Sequence, residues 1–297
     1  MPTTVPPAAG FSVILMLDGD AVSAQLSSRD FSRTGGLSGI HDLSLTHDLN
    51  GTRSLAASNP ALVVTVGYGL EGDALKAARA FDYTPGATQP DPRAPQLQNG
   101  GADGFLNCLT GALRDRLMST YPINASAWSL YGHSYGGLLV LYALCKQPAQ
   151  FQRYISASPS IWWRDGAINA ELDRRIARGN LASHVLIMAG ESEAWHPQAV
   201  GADGSAASRK DGWATLPLAQ ALVRRLQPVN TQITVLETIP GATHATLFEQ
   251  SIAPAIAFAT ALFDTDQLRA PTHATTQSST QSLLHSPLTS EQVHFSS

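Results

Sequence analysis

Apolar residues along this chain fall into short blocks separated by glycines and polar turns. Val13–Leu17, Ala61–Val66, Ala127–Tyr131, His184–Ala189 and Gln232–Leu236 are each strand length and carry β-branched or aromatic residues. Their near-continuous hydrophobicity predicts strands buried on both faces, as in a parallel sheet. Helical periods lie between them. Over Asp103–Tyr121, residues Phe105, Leu106, Leu109, Leu113 and Leu117 recur at spacings of three and four. Gly136–Lys146, Leu216–Leu226 and Ser251–Phe263 also read as helices. This alternation predicts an α/β fold, with a mostly parallel central sheet and helices on both faces joined by right-handed crossovers.

Three segments break the rhythm. Ser23–Asn59 is rich in Ser, Gly, Asp and Asn and is expected to be an insertion or long loop. Gln198–Gly212 is rich in Ala, Gly and Ser and reads as a mobile loop. From Pro271 to Ser297, 12 of 27 residues are Ser or Thr and only Glu291 is formally charged. The expected organisation is one α/β domain over residues 1–264 and a disordered tail over 265–297.

Composition narrows the partners. Charged residues make up 14% of the 297, and the net charge is −4. A typical chain carries about 25% charged residues. A charge-poor, mildly acidic chain is a poor ligand for nucleic acid or an anionic membrane surface. No apolar run reaches the roughly 18 residues that span a bilayer. The start, Met1-Pro-Thr-Thr-Val-Pro-Pro, lacks a basic segment, and Val13–Leu17 is too short for a signal core, so a cytoplasmic location is expected, or a periplasmic one if the true start lies upstream. Two cysteines, Cys108 and Cys145, make neither a disulfide framework nor a four-thiolate zinc site. Both are expected to be buried free thiols, with one disulfide between them as the alternative.

The chemistry concentrates in Gly132-His133-Ser134-Tyr135-Gly136-Gly137, a G-x-S-x-G pattern between a predicted strand and a predicted helix. A serine hydroxyl needs a neighbouring base to act as a nucleophile at neutral pH. A sharp strand-to-helix turn lifts Ser134 above the sheet, and the glycines at 132 and 136 are expected because side chains would not fit. The N–H of Tyr135 then faces a developing oxyanion at a helix N-terminus. His133 reads as a packing residue. The base is expected later in the chain. His184 opens a strand, His196 lies in a loop, and His273, His285 and His294 lie in the tail. His244 lies between a strand and a helix and is the candidate. The acid is expected after the strand ending at Gly190, where both Glu191 and Glu193 stand; Asp203 and Asp211 are outside candidates.

Several pieces, in order, resemble the putative-esterase family of α/β-hydrolases, most nearly its siderophore (enterobactin and salmochelin) trilactone esterases. They are Leu15-Met-Leu-Asp18-Gly19-Asp20, Val64-Thr-Val-Gly67-Tyr68, Arg79-Ala-Phe-Asp82-Tyr83-Thr84-Pro85, Asn99-Gly-Gly-Ala-Asp-Gly-Phe105, the turn around Ser134, Ser158-Pro-Ser-Ile-Trp162-Trp163, Gly190-Glu-Ser-Glu193 and Gly241-Ala-Thr-His244. The resemblance covers roughly residues 11–263 and implies an α/β-hydrolase fold. The family usually carries its acid three residues after the glycine, which favours Glu193 over Glu191. It usually has one or two strands before the Leu15–Asp20 segment, so a sheet without those N-terminal edge strands is expected here.

The loop at Gly67-Tyr68-Gly69, taken to follow a strand beside the elbow, is expected to supply the second oxyanion N–H from Tyr68. Arg79 is expected either to bind an anionic or catecholate-rich acyl group or to pair with Asp82 and shape the loop. Of Trp162 and Trp163, one is expected to line the acyl pocket and the other to be core. The implied activity is a serine carboxylic-ester hydrolase acting through an acyl-enzyme on a small-molecule ester, without metal or organic cofactor. The alternatives are an acyltransferase on the same scaffold and a non-catalytic hydrolase-like binding protein.

Overall fold

The computed structural model describes residues 5–28, 40–43, 60–86, 91, 94–194 and 214–261. Its elements run β1 (Phe11–Leu17), α1 (Gly19–Ser28), β2 (Ile40–Leu43), β3 (Ala61–Val66), α2 (Gly72–Asp82), α3 (Ala102–Cys108), a π-helical turn (Leu109–Leu113), α4 (Arg114–Thr120), β4 (Ile123–His133), α5 (Tyr135–Lys146), β5 (Arg153–Ala157), α6 (Trp163–Gly166), α7 (Ile168–Ala177), β6 (His184–Gly190), a 3₁₀ turn (Glu191–Glu193), α8 (Thr215–Leu226), β7 (Thr234–Ile239) and α9 (His244–Thr260).

The sheet order is β2-β3-β1-β4-β5-β6-β7. β2 runs antiparallel to β3, and every other neighbouring pair is parallel. β1 explains the unbroken apolar runs. Val13, Leu15 and Leu17 point into one core, with α5 and α3, while Ile14 and Met16 point into the other, with α1 and α9. A strand with period-two geometry that is covered on both faces has no solvent side to mark with polar residues. α5 is buried from Gly136 to Cys145, which is why it is apolar all round.

Among the described residues β1 is the first strand, and β3 and then β2 continue the sheet on its side away from β4. Two expectations need correction. The edge strand β2 comes from within Ser23–Asn59, which also supplies most of α1, so that segment is not simply an insertion. Cys108 is exposed, not buried; Cys145 is buried, which pushes its thiol up to about 12, and both are free. The pattern also misses α2 and α7. They bury little, Ala80 alone in α2 and Ile168 with Leu172 in α7, so their apolar stripes are thin. The expected tail and the Gln198–Gly212 loop lie outside the described residues.

Candidate active site

β4 ends at His133, and α5 begins at Tyr135. Between them Ser134 adopts φ 59° and ψ −116°. A positive φ on a residue with a Cβ costs about 1 kcal/mol or more and persists only where neighbours enforce it. Here the Ser134 N–H donates to Ala157 O at 3.0 Å, while Ser134 O accepts from Leu138 N at 3.0 Å and Ser160 N at 3.1 Å. A Cβ at Gly132 would lie 2.4 Å from the carbonyl of Gly136, so that glycine is obligatory. The expectation for Gly136 is corrected: a Cβ there would meet only ordinary contacts near 3.5 Å. The second tight position is Gly137, where it would lie 2.9 Å from Ala157 O.

His244 is the first residue of α9. Thr243 caps that helix, accepting from Thr246 N at 3.3 Å, while Thr246 Oγ1 accepts from Thr243 N at 2.9 Å. This brings His244 Nε2 to 3.0 Å from Ser134 Oγ and His244 Nδ1 to 3.0 Å from Glu193 Oε2. Glu193 is 3% exposed. Its Oε1 accepts from Gly190 N at 2.9 Å and from the hydroxyl of Ser158, itself held at φ 38°. Burial raises the pKa of Glu193, but the hydrogen bonds from His244, Ser158 and Gly190 outweigh it and hold the carboxyl below the usual range.

Glu191, exposed, faces elsewhere and accepts from Gly241 N at 2.9 Å. It ties down the turn that leads to His244. Ser192 N donates to Ala242 O at 3.0 Å, and a Cβ at Gly190 would lie 2.2 Å from the same oxygen. The two loops after β6 and β7 are therefore packed backbone to backbone. His196, Asp203 and Asp211 lie outside the described residues.

His133 packs against the site and does not take part in the Ser134–His244–Glu193 chain. Its Nε2 lies 2.9 Å from the carbonyl of His244, to which only an N–H can donate, and its ring sits 4.9 Å from the His244 ring and 5.5 Å from Phe248. It is 8% exposed, and burial, reinforced by the neighbouring His244, pushes its pKa down from 6.5 to about 3. The folded protein thus keeps His133 neutral where the unfolded chain takes up a proton. Stability is full above about 6.5 and falls by up to about 1.4 kcal/mol per pH unit below it. His184, pushed by burial to about 4, adds the same trend over a shorter range. Thermal denaturation between pH 7.5 and 4.5 should show a steeper fall for wild type than for His133→Gln, which keeps a donor and does not titrate. Equal slopes would contradict this assignment.

A cavity of about 230 Å³ opens beside His133, and Asp18, Asp20, Tyr68, Arg79 and Phe248 are among its walls. Tyr68 is not placed as expected. β1, not β3, is the neighbour of β4, and the N–H groups of Tyr68 and Gly69 both donate to Asp20 Oδ2, at 3.1 and 3.0 Å. Arg79 does not pair with Asp82. Its Nε and Nη2 grip Asp18 at 2.6 and 2.9 Å, while Asp82 accepts from the Tyr68 hydroxyl at 2.9 Å. Trp163 is 2% exposed and belongs to the core. Trp162 is partly buried and lies 6.3 Å, ring to ring, from Tyr135. Among the described residues, no group of three or more His, Cys, Asp or Glu side chains is arranged to hold a metal, and no helix is long and apolar enough to cross a membrane.

Comparison with known proteins places this geometry. Residues 1–214 match the sequence profile of the family described as "Putative esterase". The chain belongs to that esterase family. It is 30% identical over 209 residues to the ferri-bacillibactin esterase BesA of Bacillus subtilis, covering 66% of this chain and 64% of that protein. It is 43% identical over 116 residues to the siderophore triacetylfusarinine C esterase of Aspergillus fumigatus, covering 37% of this chain and 38% of that one. The matches thus span less than two thirds of either relative. Among solved structures, the siderophore hydrolase EstB from Aspergillus nidulans superposes with a TM-score of 0.63 over 88% of this chain and 84% of its own, at 22% identity. The fold is that of the α/β-hydrolases.

Within this esterase fold, four neighbours of the site were not singled out from the sequence. They are Ser158 on Glu193, Ser160 at 3.4 Å from Ser134 Oγ, and the carboxylates of Asp18 and Asp20. All four stand inside quoted motif segments, but their partners are 26 to 61 residues away in sequence.

Proposed function

We propose that this protein is a serine hydrolase that cleaves carboxylic esters through an acyl-enzyme. The observation that carries the proposal is the continuous hydrogen-bonded chain from Ser134 Oγ through His244 to a buried, ionised Glu193. His244 Nε2 takes the Ser134 proton as Oγ attacks the ester carbonyl. The tetrahedral oxyanion receives the N–H of Tyr135 at the start of α5. The second donor comes from the β1–α1 turn, adjacent to β4 in the sheet, because the Tyr68 N–H is occupied by Asp20. Collapse breaks the ester C–O bond, and His244 gives its proton to the departing alcohol. Water then repeats the sequence: His244 takes its proton, its oxygen attacks the acyl carbon, and Ser134 recovers the proton as the acid leaves. Glu193 holds the imidazole with Nδ1–H toward itself and balances the imidazolium.

For the substrate we infer a siderophore-type lactone or a related bulky ester; what supports this is that the relatives above are named as a ferri-bacillibactin esterase and a siderophore triacetylfusarinine C esterase. Hydrolysis of a short p-nitrophenyl ester and of a metal-free catecholate trilactone by wild type tests both levels. The expected result is turnover of both, with higher kcat/KM on the trilactone. Turnover of the simple ester alone would overturn the substrate class, and turnover of neither by a folded sample would overturn the activity.

A further inference from the structure

Strand β5 ends at Ala157, and the next residue, Ser158, turns the chain at φ 38° with its side chain fully buried. Glycine takes that conformation without strain, so a serine there needs a reason. Its hydroxyl supplies one by donating to Glu193 Oε1. The carboxylate thus divides its two oxygens between two tasks. Oε1 accepts from Ser158 and from Gly190 N at 2.9 Å, and Oε2 faces His244 Nδ1 at 3.0 Å. The two donors to Oε1 differ in what they fix. Gly190 stands three residues before Glu193 on the same turn and moves with it. Ser158 reaches across from the end of the neighbouring strand, 35 residues away in sequence. Its own frame is held by β6 and by the nucleophile turn. Ser158 N donates to Met188 O at 2.8 Å, Ser134 N donates to Ala157 O at 3.0 Å, and Ser160 N donates to Ser134 O at 3.1 Å. A Cβ at Gly137 would lie 3.0 Å from Pro159 Cα, so the segment also rests on the first turn of α5. One braced segment therefore touches both ends of the Ser134–His244–Glu193 chain.

We propose that Ser158 is a positioning residue for hydrolysis: its hydroxyl ties Glu193 Oε1 to the frame that holds Ser134, so that Oε2 stays aimed at His244 Nδ1 while the proton moves. The inference rests on the ester-hydrolase reading above and deepens it. With Gly190 N as the sole donor to Oε1, the carboxylate is freer to rotate, and the imidazole turns with it. Proton transfer from Ser134 Oγ needs that imidazole within reach and in line, and a misplacement of about 1 Å costs on the order of 10²-fold. The hydroxyl also favours the ionised carboxyl, which balances the imidazolium as it forms. Ser158 is 0% exposed and does not reach substrate, so its effect falls on the chemical step and not on binding.

Ser158→Ala and Ser158→Gly both remove the hydroxyl, and the glycine also relieves the backbone at φ 38°. On a p-nitrophenyl ester each should lower kcat about 10- to 100-fold and leave KM within about twofold of wild type. The rate of fluorophosphonate labelling of Ser134 should fall in parallel. In a Glu193→Gln background the same substitutions should slow labelling no more than about threefold, because the group through which Ser158 acts is already gone. A merely structural role would give a loss that follows the melting temperature, differs between the two variants and repeats in full in the Glu193→Gln background. That pattern overturns the inference. So does a kcat within about threefold of wild type in both variants, or a rise in KM with kcat unchanged. The glycine variant carries the test if Ser158→Ala fails to fold. A wild type that hydrolyses no ester and takes no label would instead strike the ester-hydrolase reading, so the two failures are distinguishable.

Discussion

Ser134→Ala is expected to lower kcat for ester hydrolysis by about 10⁴- to 10⁶-fold, and His244→Ala by a similar factor. Ser134 Oγ has His244 Nε2 as its nearest base at 3.0 Å, and the Ser160 hydroxyl, at 3.4 Å, is no substitute. Without the imidazole the hydroxyl stays protonated at neutral pH, and without the hydroxyl the imidazole has nothing to activate in the first step. The two residues act as one unit, so the double variant should be scarcely worse than either single one. Melting temperatures should change little in Ser134→Ala, since the turn is held by main-chain bonds of residue 134 and by Gly132, not by Oγ. Steady-state kinetics of the three variants on one p-nitrophenyl ester measures this. Additive losses would mean that the two groups do not work together.

Glu193→Gln is expected to cost about 10⁴-fold in kcat, whereas Glu191→Gln should cost no more than about 100-fold. Both side chains leave the same 3₁₀ turn, but they serve different atoms. Glu193 accepts from the imidazole itself; its amide counterpart can turn an NH₂ toward Nδ1 and favour the tautomer that cannot take the serine proton. Glu191 meets only the N–H of Gly241, three residues before His244, so its loss loosens a loop without changing a proton. The depressed pKa of Glu193 adds a pH prediction. A carboxyl held low stays ionised until pH falls below the usual carboxylate range, so a loss of activity on mild acidification is not protonation of Glu193. Equal losses in the two Gln variants would contradict this division of roles.

The sequence made some of this geometry legible and hid the rest for definable reasons. β1 is readable because both its faces are buried, so its apolar run has no gaps. Ser134 is readable because its strained turn demands glycine at 132, a local requirement. The choice between Glu191 and Glu193 is not local. It depends on how a turn of three residues aims two side chains 50 residues away along the chain. The Tyr68 expectation failed on sheet order. β3 and β4 are separated by β1, and sequence proximity of motifs says nothing about which strand lies between them. The Arg79–Asp82 pairing failed likewise, because the partner of Arg79, Asp18, lies 61 residues away while Asp82 is three. Motif spacing named side chains that the fold brings together more reliably than it named their partners.

The most direct test of the central claim is exposure of the wild-type protein to a fluorophosphonate, followed by peptide mass mapping. The account predicts a single rapid phosphonyl adduct on Ser134, absent in Ser134→Ala and much slower in His244→Ala. A folded protein that takes no label, or that is labelled at another residue at the same rate in all three samples, would contradict it.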